Sequence, residues 1–243
     1  MRPSRIAVIA AFIVFLCIRG WSKEKQPSGQ NVDSGSFGVY TSGHRVATET
    51  FTIKQGPEGS VISSQFKSAQ GEQNAEQSSE LQLTPSGELR SYEWNEISPG
   101  KTTATVTPSD TFLIERFSTG SGKQQSQNFL LPTSTSIIDD YFFVQREVLA
   151  WKYLATACKQ DKGPLHCPMN QKMQFGTLNP HARSSMSVSL EFAGREKITV
   201  AGSERELSHF VLRSEVGDWT FWLDDAFKLV RLVDDGGTEV VRD

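Results

Sequence analysis

The stretch SIIDDYFFVQREVLAWKYLATAC (Ser136–Cys158) decides how the whole chain is read. It is the one long helical pattern in a sequence otherwise patterned like β-strands. Five aromatic side chains fall within it. At about 100° per residue, Ile137, Tyr141, Val144, Val148, Trp151 and Ala155 form one stripe. Ile138, Phe142, Leu149 and Tyr153 widen it. Phe143, Ala150 and Leu154 form a second apolar line between two polar strips, Asp139/Arg146 and Asp140/Glu147. A surface helix has one apolar face; this one asks for contact on two sides. Ser136 followed by Asp139 reads as a capping box, so the helix is predicted to start there.

The strands on either side define what the helix covers. Before it, VYTSGHRVATETFTIKQ (39–55) alternates about the turn Ser42-Gly43. SVISSQF, ELQL, GELRSYEWNEI, TTATVT and TFLIERF follow, separated by Gly-Pro-Glu-Gly, Pro-Ser-Gly, Pro-Gly and Pro-Ser-Asp turns. After it come SSMSVSLEF, EKITVAG, RELSHFVLRSE, DWTFWLD, FKLVRLVD and TEVVRD. Such spacing indicates an antiparallel meander. Neither half has a linker before it or a core of its own. The expected fold is therefore mainly β: a single highly curved antiparallel sheet, an incomplete barrel of about a dozen strands, wrapped around one long α-helix. The segment 159–183 is expected to cover the helix's back, or else its second face lines a cavity or docks a partner.

The beginning of the chain reads as a targeting segment. Arg2 and Arg5 precede thirteen apolar residues, Ile6–Ile18. This length suits a signal-peptide core and falls short of the roughly 20 residues that span a bilayer. Cleavage after Ser22 is one outcome; an uncleaved anchor of residues 1–22 is the other. Residues 23–36 read as a flexible linker and 37–243 as a single domain. The expected location is periplasmic or secreted, with membrane contact only through the uncleaved segment. Losing residues 1–22 removes three arginines and no acids, so the formal net charge moves from −3 to −6. With no basic patch carrying interleaved aromatics, nucleic acid is a poor partner.

Cys158 and Cys167, in CKQDKGPLHC, are expected to form a disulfide in an exported protein. The four histidines form no catalytic or metal motif, and the adjacent pairs Asp139-Asp140, Asp224-Asp225 and Asp234-Asp235 have structural explanations. No cofactor, metal or catalytic residue is predicted. Trp219 and Trp222 sit at odd spacing in one strand and so face opposite sides.

Three segments resemble a family. VYTSGHRVATETFTI (39–53) is similar to an opening strand pair with a Gly-x-Arg/Lys-Val turn. NFLLPTSTSIIDDYFFVQREVLAW (128–151) is similar to an "LP…LD-aromatic" helix entry. DWTFWLDDAFKLVRLVDDGGTEVVRD (218–243) is similar to a closing hairpin. Together they resemble the periplasmic lipoprotein-carrier-like superfamily, in particular its uncharacterised bacterial members. That resemblance implies an incomplete barrel whose concave face holds acyl chains. The expected function is a non-catalytic envelope protein binding an apolar ligand, a lipid or a lipidated partner. Phe142, Phe143, Trp151 and Leu154 of the helix, with Trp94 and Trp222 of the sheet, are the candidate lining. The alternative is an interaction module of the envelope with a filled core and no ligand.

Overall fold

The strands alternate inward and outward so regularly that rows of buried residues run straight across the sheet. In the computed structural model, residues 29–68, 74–120, 122–159, 165–200 and 202–243 are described; the predicted targeting segment lies outside them. The first half comprises β1 (Gln30–Thr41), β2 (His44–Gly56), β3 (Gly59–Ser68), β4 (Glu76–Leu83), β5 (Leu89–Ser98), β6 (Thr103–Ser109), β7 (Phe112–Ser118) and β8 (Gln125–Phe129). Then come β9 (Ser136–Ile137) and helix α1 (Val144–Ala157). The second half is β10 (Lys172–Asn179), β11 (Ser184–Val200), β12 (Ser203–Ser214), β13 (Gly217–Leu223), β14 (Leu229–Asp234) and β15 (Thr238–Arg242).

All fifteen strands form one sheet, in the order β8-β7-β6-β5-β4-β3-β2-β1-β15-β14-β13-β12-β11-β10-β9. Every pairing is antiparallel except β9 with β10. The expected curved open sheet around one helix is therefore present, but with fifteen strands rather than about a dozen. Two of the extra strands, β9 and β10, lie in segments read as helix and covering loop.

Topology forces the curvature. Laid flat, fifteen strands would span roughly 67 Å at about 4.8 Å per spacing. Yet the two edge strands, β8 and β9, are joined by residues 130–135 alone, which reach at most roughly 25 Å. The sheet must curl until its edges approach, and the helix that follows β9 is then enclosed.

One inward row runs Asp33, Ile53, Ile62, Leu81, Tyr92, Val106, Glu115 across β1–β7, and each member is buried. Another runs Phe192, Phe210, Phe221, Leu232, Val240, Val39, Ala47 and crosses the β15–β1 pairing. Hairpin turns impose the register between strands. At the β2–β3 turn, Gly59 has φ +121°, and a Cβ there would lie 2.0 Å from the Leu83 carbonyl oxygen, so no other residue fits.

Three boundaries differ from expectation. Residues 30–36, read as linker, form the first half of β1, because their inward side chain Asp33 is held by Arg242 and Lys228 instead of by apolar contacts. The helix starts at Val144, not Ser136, and is only 14 residues long. Ser136 instead pairs with Thr177 in the parallel β9–β10 bridge. The third difference is the cap. Phe143 occupies the N-cap position without a side-chain bond of its own. Its function is supplied from β2: the Glu49 carboxylate accepts the Phe143 amide at 2.7 Å and the Val144 amide at 3.4 Å.

Both faces of α1 are covered. Phe142, Val144, Leu149, Ala150 and Tyr153 are all in the main core. Phe143 packs 6.2 Å from Trp219, and Tyr153 meets Phe210 edge-on at 5.8 Å. Of the second apolar line, Phe143 is covered by Trp219 of the sheet, Ala150 is buried in the core, and Leu154 borders a cavity with Leu165 of the following loop. At the helix end the Cys158 amide bonds to Leu154 O at 3.1 Å, and Cys158 is joined to Cys167 (S–S 2.09 Å).

Candidate functional site: a groove beside the helix

Along one side of α1, from Gln145 to Thr156, the packing is incomplete. A cavity of about 460 Å³ lies between Ile53, Ile62, Leu81 and Leu83 of the sheet and Val148 and Trp151 of the helix. A second, of about 370 Å³, shares Val32, Gln55, Trp151 and Ala155 with it and adds Leu154, Leu165 and Phe227. The Trp151 ring stands between the two lobes, its Nε1 donating to Phe227 O at 2.6 Å. The volumes lie at the lower part of the range for small-molecule sites.

The larger lobe has a polar end. Gln145 and Thr135 line it, and each is almost fully buried. Gln145 Oε1 accepts the Asp139 amide at 2.6 Å, but Gln145 Nε2 and Thr135 Oγ1 have no hydrogen-bond partner among the described residues. Buried polar atoms are nearly always paired; the Gln145 side chain also interacts with the buried Tyr92 hydroxyl, whose pKa burial holds well above the ordinary tyrosine range. Lys152 lines the same lobe. Its ammonium donates to the Ser134 carbonyl and reaches Ser136 Oγ at 3.4 Å. Burial holds its pKa below the ordinary lysine range, with Glu88 opposing.

Beneath the helix lies an ionic clasp. Asp33 accepts Arg242 at 2.6 Å and Lys228 at 2.9 Å. Burial alone would raise its pKa; the Arg242 and Lys228 bonds hold it at about 2. Glu147 Oε2 accepts the Leu229 amide at 2.8 Å and Arg242 at 3.1 Å. Burial, then the neighbouring Asp33, pushes Glu147 up to about 9. Arg242 also lies over the Phe37 and Phe51 rings, at 5.3 and 5.1 Å. The clasp joins β1, α1, β14 and β15 and sets the floor against which Trp151 and Leu154 stand.

Of the six candidate lining residues, Trp151 and Leu154 border the groove. Phe142 and Phe143 are core residues at the opposite end of the helix. Trp94 is buried on the concave face, its Nε1 donating to Gln77 Oε1 at 2.7 Å and its ring edge-on to His181 at 4.6 Å. It borders a separate cavity of about 270 Å³ with Glu115 and His181. There burial pushes Glu115 up to about 7, Arg183 opposing. Trp222 does not face the helix. It belongs to a small cluster on the convex side with Val200, Leu207 and Val230, stacked on His209 at 5.4 Å. The alternation that puts Phe221 inside also puts Trp219, not Trp222, on the helix side. Sequence reasoning missed Gln145, Thr135 and Lys152, because a lone polar residue on an apolar stripe carries no sign of what it faces. Among the described residues no helix is long and apolar enough to cross a membrane.

Comparisons with known proteins agree on the fold alone. No family model and no curated protein matches the chain. A crystal structure of a β-barrel-like protein of a domain of unknown function, DUF1849, from Brucella abortus is similar, with a TM-score of 0.56 and 8% identity, covering 86% of this chain and 94% of that one.

Proposed function

We propose that the protein is an exported, non-catalytic binding protein of the cell envelope that holds an apolar chain carrying a polar head. The groove beside Trp151 carries this reading: aliphatic side chains along its length, with the polar residues Gln145, Thr135 and Lys152 at one end. An acyl chain would lie along Val148, Trp151 and Ala155, and its carboxylate or amide would meet the polar end. The resemblance to the lipoprotein-carrier-like superfamily supports the same class, and the apolar run at Ile6–Ile18 supports export. The groove beside Trp151 favours the carrier over an interaction module with a filled core, which needs no apolar cleft of this kind.

The test is displacement of a fluorescent fatty acid, with Val148→Trp as the groove-filling variant. Saturable binding by the wild type, lost in Val148→Trp while its circular dichroism is unchanged, supports the carrier. Absence of binding at high protein concentration, or equal affinity in a folded Val148→Trp, overturns it.

A further inference from the structure

At the other end of the helix, Arg146 sits in an environment the groove does not explain. Its side chain projects from the first turn of α1 and is only 4% exposed. A guanidinium carries five N–H donors. Here Nη1 donates to Asp139 O at 3.0 Å, and Arg146 makes no other hydrogen bond and no ion pair among the described residues. Its Nε is buried without a partner. The guanidinium lies over the rings of Trp219, at 4.8 Å, and Phe143, at 5.3 Å. Cation–π contact offsets only part of the cost of burying such a charge.

Arg146 lines a cavity of about 340 Å³. The walls are apolar, with Ile138, Met186, Val188 and Leu212. Four aspartates, Asp140, Asp218, Asp234 and Asp235, share the lining with Thr177, Asn179, Ser214 and Trp219. Asp140 Oδ1 accepts Asn179 at 2.7 Å, Asp234 Oδ1 accepts the Thr238 amide at 2.6 Å and Asp235 Oδ2 accepts the Asp218 amide at 3.2 Å. Asp218 Oδ2 lies 3.6 Å from Arg213. Among the described residues, Asp140, Asp234 and Asp235 each keep a second carboxylate oxygen with no hydrogen bond. The cavity thus combines one under-bonded buried cation, apolar walls and several carboxylates.

We propose that this cavity is a binding site for a free α-amino acid with an apolar side chain, its carboxylate on Arg146 and its ammonium on the aspartates. A simple carboxylate would satisfy Arg146 and be repelled by the acids. A simple amine would satisfy the acids and be repelled by Arg146. A zwitterion satisfies both, and its side chain meets the Ile138, Met186, Val188 and Leu212 wall. The site is independent of the groove and of its acyl ligand.

Titration calorimetry of the folded protein with L-leucine tests the proposal, and intrinsic tryptophan fluorescence, to which the lining residue Trp219 contributes, provides a second signal. N-acetyl-leucine and leucinamide isolate the two charges. Leucine is expected to bind, with each derivative at least tenfold weaker. Arg146→Met should abolish leucine binding. Asp140→Asn/Asp235→Asn, on exposed positions, should weaken leucine severalfold and leave N-acetyl-leucine unchanged or tighter. Should Arg146→Met fail to fold, the aspartate double variant and the two derivatives still decide. No heat and no fluorescence change with leucine at millimolar concentration overturns the proposal. So does leucine binding that survives in Arg146→Met, or N-acetyl-leucine binding as tightly as leucine, which would indicate a peptide C-terminus as the ligand.

Discussion

Replacing Glu49 with glutamine should make the protein more stable at pH 8 than the wild type, although Glu49 caps the only helix among the described residues. Its Oε2 accepts the Phe143 amide at 2.7 Å, and its Oε1 accepts Ser64 Oγ at 2.6 Å. Ser64 Oγ also lies 3.3 Å from Thr50 O. A protonated Glu49 satisfies this arrangement by donating to Ser64, which in turn donates to Thr50 O. Burial raises the Glu49 pKa from 4.5 to about 7, against the opposing bonds from Ser64, Phe143 and Val144. Between pH 4.5 and 7 the unfolded chain loses this proton and the folded chain keeps it, so stability falls with rising pH. The interval from 4.5 to about 7 corresponds to about 3 kcal/mol. A glutamine at this position carries no charge: its carbonyl can accept the Phe143 amide and its own amide can donate to Ser64. Relative to wild type, Glu49→Gln should lie within about 1 kcal/mol at pH 4.5 and gain about 3 kcal/mol by pH 8. Urea unfolding of both proteins at the two pH values measures the difference directly and cancels the other titrating groups. Glu49→Ala, which strands two buried donors, should cost about 3 kcal/mol at pH 4.5. Parallel pH profiles for wild type and Glu49→Gln would refute the reasoning, as would a glutamine variant that loses ground as pH rises.

Asp33 of the clasp titrates in the opposite sense: held at about 2, it contributes stability above its ordinary 3.8 that is lost as pH falls through about 2. Asp33→Asn should flatten the acid limb of an unfolding profile by about 2 kcal/mol, as followed by tryptophan fluorescence. Phe142→Ala should cost about 3–5 kcal/mol in urea unfolding, since Phe142 is fully buried in the main core. Trp222→Ala, in the small convex cluster, should cost less despite removing a larger ring. The double variant Cys158→Ser/Cys167→Ser should lose roughly 2.7 kcal/mol and show faster amide exchange near Cys158, readable by mass spectrometry.

What was legible in the sequence follows from whether the determining contact is local. Alternation about Phe51 and Ile53, the Ser42-Gly43 turn and the Gly-rich hairpins specify strands by themselves, and they predicted a curved sheet around a helix. Ser136 and Asp139 form a plausible local cap, yet the helix is capped by Glu49, 94 residues earlier. Asp139 instead accepts the Tyr92 hydroxyl at 2.9 Å. No local pattern announces a contact across the barrel. The same holds for β1: the inward positions Asp33 and Gly35 look like linker until Arg242 is placed beside them. For the groove, the helix supplied Trp151 and Leu154, but its polar end is made by Gln145 and Lys152 of the same helix with Thr135, and its facing wall of Ile53, Ile62 and Leu81 lies far away in sequence. Trp222 was misplaced because odd spacing separates two faces without saying which one is inside.

The β1–β15 pairing, Phe37–Thr41 against Thr238–Arg242, also shapes the order of events during synthesis. A chain emerging from its beginning presents β1–β8 first, and their concave row is bare until residues 144–157 arrive to fill it. The open edge of β1 then waits almost two hundred residues for its neighbour. Contacts of such sequence separation make folding slow, and an uncovered apolar sheet with an unpaired edge is prone to bind other chains meanwhile. The molecule's most vulnerable moment is thus the interval before its last strand is available, when a holding chaperone would have the most to protect.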